Sequence, residues 1–198
     1  MKMNSTVLVV DGGGRGTALI DAYARSKWVS KILAVPGNDL MKTHTRKSIK
    51  TYPKIKTTDV LEILKICKKE KVDLVDVAQD NAVEVGLVSK LNEIGISVVG
   101  PTKESGQIEW DKAWSRSFMK RYKIPSPSFK ICFSEDEGEK FIKSFKNQKW
   151  VIKASGLAEG KGVIVAKNKK EASAAIKEMK NFKNAGKTFL IEQFLDGE

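Results

Sequence analysis

The stretch TVLVVDGGGRGTALIDAYARS, residues 6–26, decides the fold class of this 198-residue chain. Residues 7–10 are apolar, which predicts a buried strand over 6–11, and three glycines then end that strand. From Arg15 to Ser26 the apolar residues recur at helical spacing, which predicts a helix. A strand, a glycine turn and a helix in this order are typical of an α/β domain with a parallel sheet.

The same alternation continues to about residue 100. Further strands are predicted at Lys31–Val35, Val72–Val77 and Ile96–Val99. A helix capped by Thr57 or Thr58 and a helix over Ala82–Ile94 lie between them. Because most of these strands are apolar throughout, we expect a parallel sheet that is covered on both faces.

After about Ser105 the pattern changes to that of an α+β segment. A helix is predicted over 109–122, and the stiff sequence KIPSP follows at 123–127. The remaining elements are strands at 128–133, 149–153, 163–166 and 187–194 and helices at 134–146 and 169–182. We therefore predict two domains, over residues 1–104 and 105–198.

Composition excludes several classes of protein. No apolar run approaches the roughly 18–20 residues of a membrane span. Cys67 and Cys132 give neither a disulfide framework nor zinc-ligand spacing, which favours a reducing cytoplasm. The net charge of +12 comes from 36 basic and 24 acidic residues. Because the lysines are scattered, a solvated surface or small anionic ligands are favoured over nucleic acid. His44, the single histidine, is expected on the surface.

The first candidate site is the turn Gly12, Gly13, Gly14 and Arg15 between a strand and a helix. Glycines let a backbone approach an anion, and the helix N-terminus supplies free N–H groups. A dinucleotide fingerprint would need glycine where Thr17 stands and an acid where the second strand ends at Pro36-Gly37-Asn38. A phosphate or phosphosugar is therefore favoured over NAD, with a tight turn that binds nothing as the alternative.

The second candidate site is VIKASGLAEGKGVI, residues 151–164. A strand delivers Lys153, and a loop with Gly156, Gly160, Lys161 and Gly162 follows it. The glycine spacing and the residue after Lys161 exclude a Walker A motif. A strand–loop–strand hairpin with two lysines suits a flap that closes over a polyphosphate. An ordinary glycine-rich hairpin is the alternative.

The third candidate site is the last strand. Glu192 and Gln193 place an acid and an amide within an apolar run, and Phe194 and Leu195 follow them. A backbone edge with these apolar walls would suit an adenine. A strand end that reaches solvent is the alternative.

Together and in this order, the sites resemble the N-terminal half of the phosphoribosylamine–glycine ligases, a family of the ATP-grasp superfamily. The matching stretches are VLVVDGGGR (7–15), AVPGN (34–38), VGPTKESGQIEWDKAWSRSFMKRYKIP (99–125), VIKASGLAEGKGVIVA (151–166) and IEQFLDGE (191–198). The resemblance implies a Rossmann-like, pre-ATP-grasp parallel-sheet domain. The first part of an α+β ATP-grasp domain, including its ATP lid, would follow.

The family joins glycine to 5-phosphoribosylamine with ATP, through a glycyl phosphate, and releases ADP and phosphate. The resemblance implies that Lys112 and Lys153 hold the ATP phosphates as catalytic residues. The other ATP-binding residues would be Gly156, Gly160, Lys161, Gly162, Glu192, Gln193, Phe194 and Leu195. The residues that receive the phosphoribosyl group would be Gly12, Gly13, Gly14, Arg15, Pro36, Gly37, Asn38 and Asp80.

The chain departs from the family pattern at a few positions. Gly16-Thr17 replaces Glu-His, Ala78-Gln79-Asp80 replaces Gly-Pro-Glu, and Ser155 stands where Asp is usual; Trp110 stands where Gly is frequent. The sequence stops where the family's second ATP-grasp half begins. We therefore expect the ligands of Mg²⁺ or Mn²⁺ beyond residue 198, and no turnover by these 198 residues alone.

The predicted partners are small molecules, namely glycine, 5-phosphoribosylamine and ATP, with neither nucleic acid nor membrane. We expect a cytoplasmic monomer. Two alternatives stay open from the sequence. One is another ATP-grasp carboxylate–amine ligase, and the other is a non-catalytic module that binds a nucleotide, another anion or nucleic acid.

Overall fold

The computed structural model describes residues 3–43, 47–146, 148–158 and 160–197, so His44 lies outside the described residues. The chain divides into unit 1, Met1–Gly106, and unit 2, Gln107–Glu198. The strands are β1 (Ser5–Asp11), β2 (Val29–Pro36), β3 (Ser48–Thr51), β4 (Leu74–Val77), β5 (Ser97–Val99), β6 (Phe129–Cys132), β7 (Trp150–Ala154), β8 (Val163–Ala166) and β9 (Phe189–Gln193). The α-helices are α1 (Gly14–Arg25), α2 (Val60–Glu70), α3 (Asp80–Glu84), α4 (Leu87–Glu93), α5 (Lys103–Trp110), α6 (Lys112–Arg121), α7 (Glu135–Lys143) and α8 (Lys169–Glu178). Short 3-10 helices span Asp39–Lys42 and Met179–Gly186. Among the described residues, no helix is both long enough and apolar enough to cross a membrane.

Unit 1 contains a five-stranded parallel sheet in the order β3-β2-β1-β4-β5. Strands β2 and β3 follow β1 on one side of it, and β4 and β5 lie on the other side. The strand order therefore reverses between β1 and β4. In sheets of this kind, ligands bind outside the carboxyl ends of the strands at the reversal point.

The centre of this sheet is apolar on both faces. Val7, Leu8, Val9 and Val10 of β1 are fully buried. On one face, residues of β1 and β2 form a core cluster with α1 and the first 3-10 helix, and its members are Val7, Val9, Ile20, Val29, Ile32, Ala34 and Met41. Strand β1 is therefore a rigid support for the turn that follows it.

An ion-pair cluster fastens the edge of this sheet to α2. The Glu70 carboxylate accepts hydrogen bonds from Lys31 and Lys50, each at 2.6 Å, and from the Tyr52 hydroxyl at 2.8 Å. These bonds, that from Lys31 first, lower the pKa of Glu70 to about 2. The cluster therefore joins α2 to strands β2 and β3.

The secondary structure of unit 1 differs from the sequence prediction in several places. The predicted cap at Thr57 or Thr58 is wrong, because α2 begins after Asp59. Helix α5 begins at Lys103, before the predicted start at residue 109. Strand β3 was not predicted, because it alternates between exposed and half-buried residues and has no apolar run. The predicted helix over 82–94 is wrong as a single element. Gly86 adopts a left-handed conformation with φ of +78° and separates α3 from α4.

Unit 2 contains a four-stranded antiparallel sheet in the order β6-β9-β7-β8. Helices α7 and α8 pack with it around one core, whose members are Cys132, Ile142, Trp150, Ile152, Ala154, Ala166, Ala172, Ala175, Ile176, Met179, Phe189 and Ile191. The predicted helix over 109–122 is divided at Asp111, which accepts a hydrogen bond from the Trp114 N–H and so caps α6. This sheet positions the second and third candidate sites.

The opposite face of the unit 2 sheet is partly open. Side chains alternate along strands, so Val151 and Lys153 point away from the core residues Trp150, Ile152 and Ala154. Val165 and Val163 pair with them on β8, and Glu192 of β9 pairs with Val151. Val163 is 45% exposed and Val165 is 50% exposed. We call the face that carries these five residues, Val151, Lys153, Val163, Val165 and Glu192, the open face.

Candidate functional site

In unit 1, Asn38 joins the glycine turns that follow β1 and β2. Its side-chain amide donates to the carbonyl oxygen of Gly12 at 3.0 Å and to the hydroxyl oxygen of Thr17 at 3.2 Å. The Thr17 hydroxyl donates in turn to the carbonyl oxygen of Gly13 at 3.1 Å. The structure therefore brings the two turns into one group at the carboxyl edge of the sheet.

A buried carboxylate lies beneath this group. Asp11 is fully buried and accepts hydrogen bonds from the Gly13 N–H and, at 2.7 Å, from the side-chain amide of Gln79. The Arg15 Nε lies 3.8 Å from Asp11 Oδ2, and Arg15 Nη1 lies 4.0 Å from Asp80 Oδ1. The end of β1 and the residues after β4 thus meet at the point where the strand order reverses.

The chemistry of this edge suits a ligand that carries both an anion and hydroxyl groups. The Arg15 side chain is 57% exposed, so its guanidinium can reach a phosphate while it stays near two carboxylates. Helix α1 starts beside it, and the N-cap Gly13 has no side chain to cover the first N–H groups. Asp80 is 37% exposed and can accept hydrogen bonds from sugar hydroxyls.

Gly16 is packed against Asp11, which leads to a stability prediction. A Cβ at position 16 would lie 2.6 Å from Asp11 Cβ, so we expect Gly16→Ala to lower the free energy of unfolding by about 1–3 kcal/mol. Urea denaturation measures this change. Gly14→Ala is the matched control, because among the described residues no atom lies within 4 Å of a Cβ placed there. Equal losses in the two variants would contradict the packing of Gly16 on Asp11.

In unit 2, three charged side chains meet on the open face. Lys153 Nζ lies 2.6 Å from Glu192 Oε2, and Arg116 Nε of α6 lies 2.7 Å from Glu192 Oε1. The Glu192 side chain is 2% exposed, whereas Lys153 and Arg116 keep about a fifth of their surface in solvent. The carboxylate is therefore enclosed, and both cations still reach the surface.

The two cations control the charge of Glu192. Burial by itself would raise the pKa of this carboxyl group, but the hydrogen bonds from Arg116 and Lys153 outweigh it and hold the pKa below its usual value. Glu192 is thus ionised at neutral pH and fixes the direction of both cations. Arg116 was not predicted from the sequence as a candidate site residue. A basic residue on a helix is usually exposed to solvent, and nothing local in the sequence indicates that it pairs with Glu192.

The glycine-rich loop leaves β7 directly after Lys153. Its start is fixed by hydrogen bonds from the N–H of Ser155 to the Thr188 carbonyl at 2.9 Å and from the N–H of Gly156 to the Ala185 carbonyl at 3.1 Å. Gly160 has a φ of +77°, a conformation that other residues rarely adopt. Lys161 beside it is exposed. The loop therefore has a fixed base, and Lys161 is exposed beyond it.

Lys112, at the start of α6, lies at the base of this loop. Its N–H donates to the Ser155 carbonyl oxygen at 2.9 Å, and its Nζ lies 3.5 Å from the Gly156 carbonyl oxygen. Lys112 thus lies beside the start of the glycine-rich loop, which directly follows Lys153. The two lysines are far apart in the sequence, and the fold of unit 2 brings them to the same loop.

A cavity of about 390 Å³ lies at the other end of β7. It is lined by Gln148, Lys149, Lys167, Gln193, Phe194 and Asp196. Lys149 Nζ lies 5.0 Å from the centre of the Phe194 ring, and Leu195 is 61% exposed. The cavity therefore lies at the end of β7 that is opposite the glycine-rich loop.

These features match a known pair of domains. The family model described as the N domain of phosphoribosylglycinamide synthetase matches residues 5–109, and the ATP-grasp (A) domain of the same family matches residues 110–198. The chain belongs to the phosphoribosylglycinamide synthetase family. The resemblance predicted from the sequence is thereby confirmed.

Two similar proteins show how much of a family member this chain covers. The chain is 38% identical to phosphoribosylamine–glycine ligase of Archaeoglobus fulgidus, over 96% of this chain and 42% of that protein. It is also 38% identical to the human trifunctional purine biosynthetic protein adenosine-3, over 99% of this chain and 19% of that protein. The chain thus spans less than half the length of the family members it matches.

Solved structures confirm the predicted fold class. The crystal structure of phosphoribosylamine–glycine ligase from Thermotoga maritima superimposes with a TM-score of 0.74 at 26% identity, over 98% of this chain and 44% of that one. A β,γ-ATP complex of biotin carboxylase from Campylobacter jejuni gives a TM-score of 0.74 at 16% identity, over 97% and 45%. The second match shows a shared fold.

Within each unit, the site residues predicted from the sequence lie close to one another. In unit 1 the segments 12–15 and 36–38 lie together with Asp80 near Arg15. In unit 2 one end of β7 carries the lysines and glycines predicted to contact the ATP phosphates, namely Lys112, Lys153, Gly156, Gly160, Lys161 and Gly162. Gln193 and Phe194 lie at the other end of β7. Glu192 lies between these groups with its side chain bound to Lys153. Among the described residues, no group of three or more His, Cys, Asp and Glu side chains could hold a metal ion.

Asp11, Arg116 and Asp111 contact the candidate sites in the structure, but the sequence pattern did not single them out. For Asp11 a signal was present, since an acidic residue that ends an otherwise apolar central strand needs buried partners. For Asp111 the signal was weaker, because an Asp before a helix is usually explained by capping alone. Arg116 could be found only from the fold.

Proposed function

We propose that this chain is the substrate-phosphate and ATP-binding part of a phosphoribosylamine–glycine ligase. The whole enzyme would join glycine to 5-phosphoribosylamine and convert ATP into ADP and phosphate. The observation that carries the proposal is the open face of unit 2, where Lys153 is held by Glu192 beside a glycine-rich loop. Membership of the family and the names of the relatives support the substrates.

The open face fits a nucleoside triphosphate along its length. Lys153 and Lys112 supply positive charge near the loop, where the phosphates would lie. The exposed side chains of Val163 and Val165 offer an apolar surface, and the cavity beside Phe194 can receive the base. Backbone groups after β9 would then contact the edge of the adenine.

The proposed reaction has two steps. The glycine carboxylate attacks the γ-phosphorus of ATP to form glycyl phosphate, and ADP leaves. The amine of 5-phosphoribosylamine then attacks the acyl carbon, and phosphate leaves as the C–N bond forms. Lys153 and Lys112 stabilise the negative charge on the phosphoryl oxygens, and the loop excludes water from the acyl phosphate.

A divalent cation, Mg²⁺ or Mn²⁺, would supply further charge stabilisation when bound. The described residues offer basic side chains at the phosphate end and no cluster of metal ligands. The family resemblance implies that the ligands of this cation lie beyond residue 198, and we keep that assignment as part of the proposal. The 198-residue chain is expected to bind nucleotide without releasing ADP.

In unit 1, Arg15 and the start of α1 would bind the phosphate of 5-phosphoribosylamine. Asn38 would hold the two turns in the binding conformation, and Asp80 would accept hydrogen bonds from the ribose. We also propose that the protein acts in the cytoplasm as a monomer on small molecules, without nucleic-acid or membrane partners.

Lys153→Met tests the nucleotide site. Loss of one charge-assisted contact to phosphate is expected to weaken ATP binding by the 198-residue chain roughly tenfold to 100-fold. Isothermal titration calorimetry measures this affinity. Lys177→Met, which removes an exposed lysine of α8, is the control and should leave it unchanged. Equal affinities of the two variants would contradict the role of Lys153.

The substrates are tested on the full-length protein encoded by the native gene. ADP release that requires both glycine and 5-phosphoribosylamine supports the proposal. ADP release with a different carboxylic acid would indicate another ATP-grasp ligase. DNA or RNA binding that weakens steeply with salt, without ATP binding, would indicate a nucleic-acid module instead.

A further inference from the structure

Ser155, at the base of the glycine-rich loop, is bonded to three consecutive residues of another segment. Its hydroxyl donates to Asp111 Oδ1 at 2.7 Å and accepts from the Ala113 N–H at 2.8 Å. Its carbonyl oxygen accepts from the Lys112 N–H at 2.9 Å. Ser155 is 4% exposed, so water competes little for these bonds.

Asp111 is fixed from its other side as well. The Oδ1 atom that accepts from Ser155 also accepts from the Trp114 N–H at 3.1 Å, and Oδ2 accepts from the Gln107 side-chain amide at 3.3 Å. The carboxylate therefore caps α6 and binds the loop at the same time. The hydrogen bond from the Trp114 N–H is sufficient to cap α6, so the bond from the buried Ser155 hydroxyl is additional to capping.

The residue between these contacts is Lys112. With Asp111 and Ala113 both bonded to Ser155, the backbone of Lys112 cannot shift without breaking buried hydrogen bonds. The loop base is itself tied to the Thr188 and Ala185 carbonyl groups. Lys112 and the start of the loop thus form one rigid group, with the ammonium 3.5 Å from the Gly156 carbonyl oxygen.

We infer that Asp111 and Ser155 are a positioning pair that fixes Lys112 at the base of the loop, so that its charge meets the polyphosphate. This inference rests on the proposed ATP site. The hydrogen bond requires one hydroxyl and one carboxylate, and either segment can supply either group. An exchange of the two residues would therefore preserve the bond between these segments.

A four-protein comparison tests the pair: the unsubstituted chain, Asp111→Ser, Ser155→Asp and the double exchange. Asp111→Ser removes the carboxylate, and Ser155→Asp places two carboxylates together. Each single variant is expected to weaken ATP binding roughly tenfold or more, because misplaced charge is costly in a phosphate site. The double exchange should return to within about threefold of the unsubstituted chain. Calorimetric titration with ATP supplies the affinities, and circular dichroism confirms that each variant is folded.

The same single substitutions in a Lys112→Met background separate positioning from general damage. If the pair acts through Lys112, each substitution should change the ATP affinity less than about twofold in that background. An equal loss with and without Lys112 would overturn the inference, as would single variants that bind ATP normally or a double exchange that stays weak. If the unsubstituted chain bound no ATP, the proposed function would fail and the inference with it. Normal ATP binding in both single variants would overturn the inference alone.

Discussion

Glu192→Gln is expected to lower the free energy of unfolding by about 3 kcal/mol at neutral pH. The substitution leaves Lys153 and Arg116 without their shared carboxylate. Breaking a buried ion pair from one side typically costs about 3–5 kcal/mol. The lower end applies here because the cations keep about a fifth of their surface in solvent and are partly hydrated. Urea denaturation followed by circular dichroism measures the change.

The same variant should alter the pH dependence of stability. The pKa of Glu192 is lowered in the folded chain, so its contribution is complete above the ordinary value of 4.5 and is lost as pH falls through the folded pKa. Below pH 4.5 the unsubstituted chain should therefore lose stability more steeply than Glu192→Gln.

Asp196→Asn is the matched control for this substitution. It breaks the ion pair of Asp196 with Lys149, in which both side chains are more than half exposed. Exposed pairs of this kind contribute about 0–1 kcal/mol. A loss in Glu192→Gln no larger than in this control would show that the open-face cluster does not stabilise unit 2.

Ile152→Ala is expected to lower the free energy of unfolding by about 2–5 kcal/mol. Ile152 lies in the middle of β7, pairs with β8 and β9, and is fully buried in the core with α7 and α8. Its truncation leaves a cavity that the two neighbouring strands cannot close. Thermal or urea denaturation measures the loss.

Val165→Ala is the comparison on the opposite face of the same sheet. Val165 is half exposed, so its truncation should change stability by about 0.5 kcal/mol or less. Similar losses in the two variants would contradict the assignment of one core face and one open face. The pair therefore tests which face of this sheet is buried in the core of unit 2.

Some of this architecture follows from the sequence because the evidence is local. The apolar run 7–10 and the three glycines after Asp11 predict a buried strand and a tight turn wherever they occur. The loop after Lys153 was predicted for the same reason. Glycines and lysines at this spacing are a local pattern that indicates phosphate binding. Edge strand β3 was not predicted, because a half-exposed strand lacks an apolar run. The helix predicted over 82–94 is interrupted at Gly86, which the apolar periodicity of the sequence does not show.

The sequence by itself determined the fold class, the family and the segments that hold the candidate sites. Only the tertiary structure decided which side chains meet: Asp11 with Gln79, Glu192 with Arg116 and Lys153, and Asp111 with Ser155. These partners are separated by between 39 and 76 residues along the chain. Local propensity depends on neighbouring residues in the sequence, so it carries no information about contacts between distant segments. Hydrogen bonds and ion pairs act over a few ångströms in space, and only the packing of the sheets brings these groups within that range.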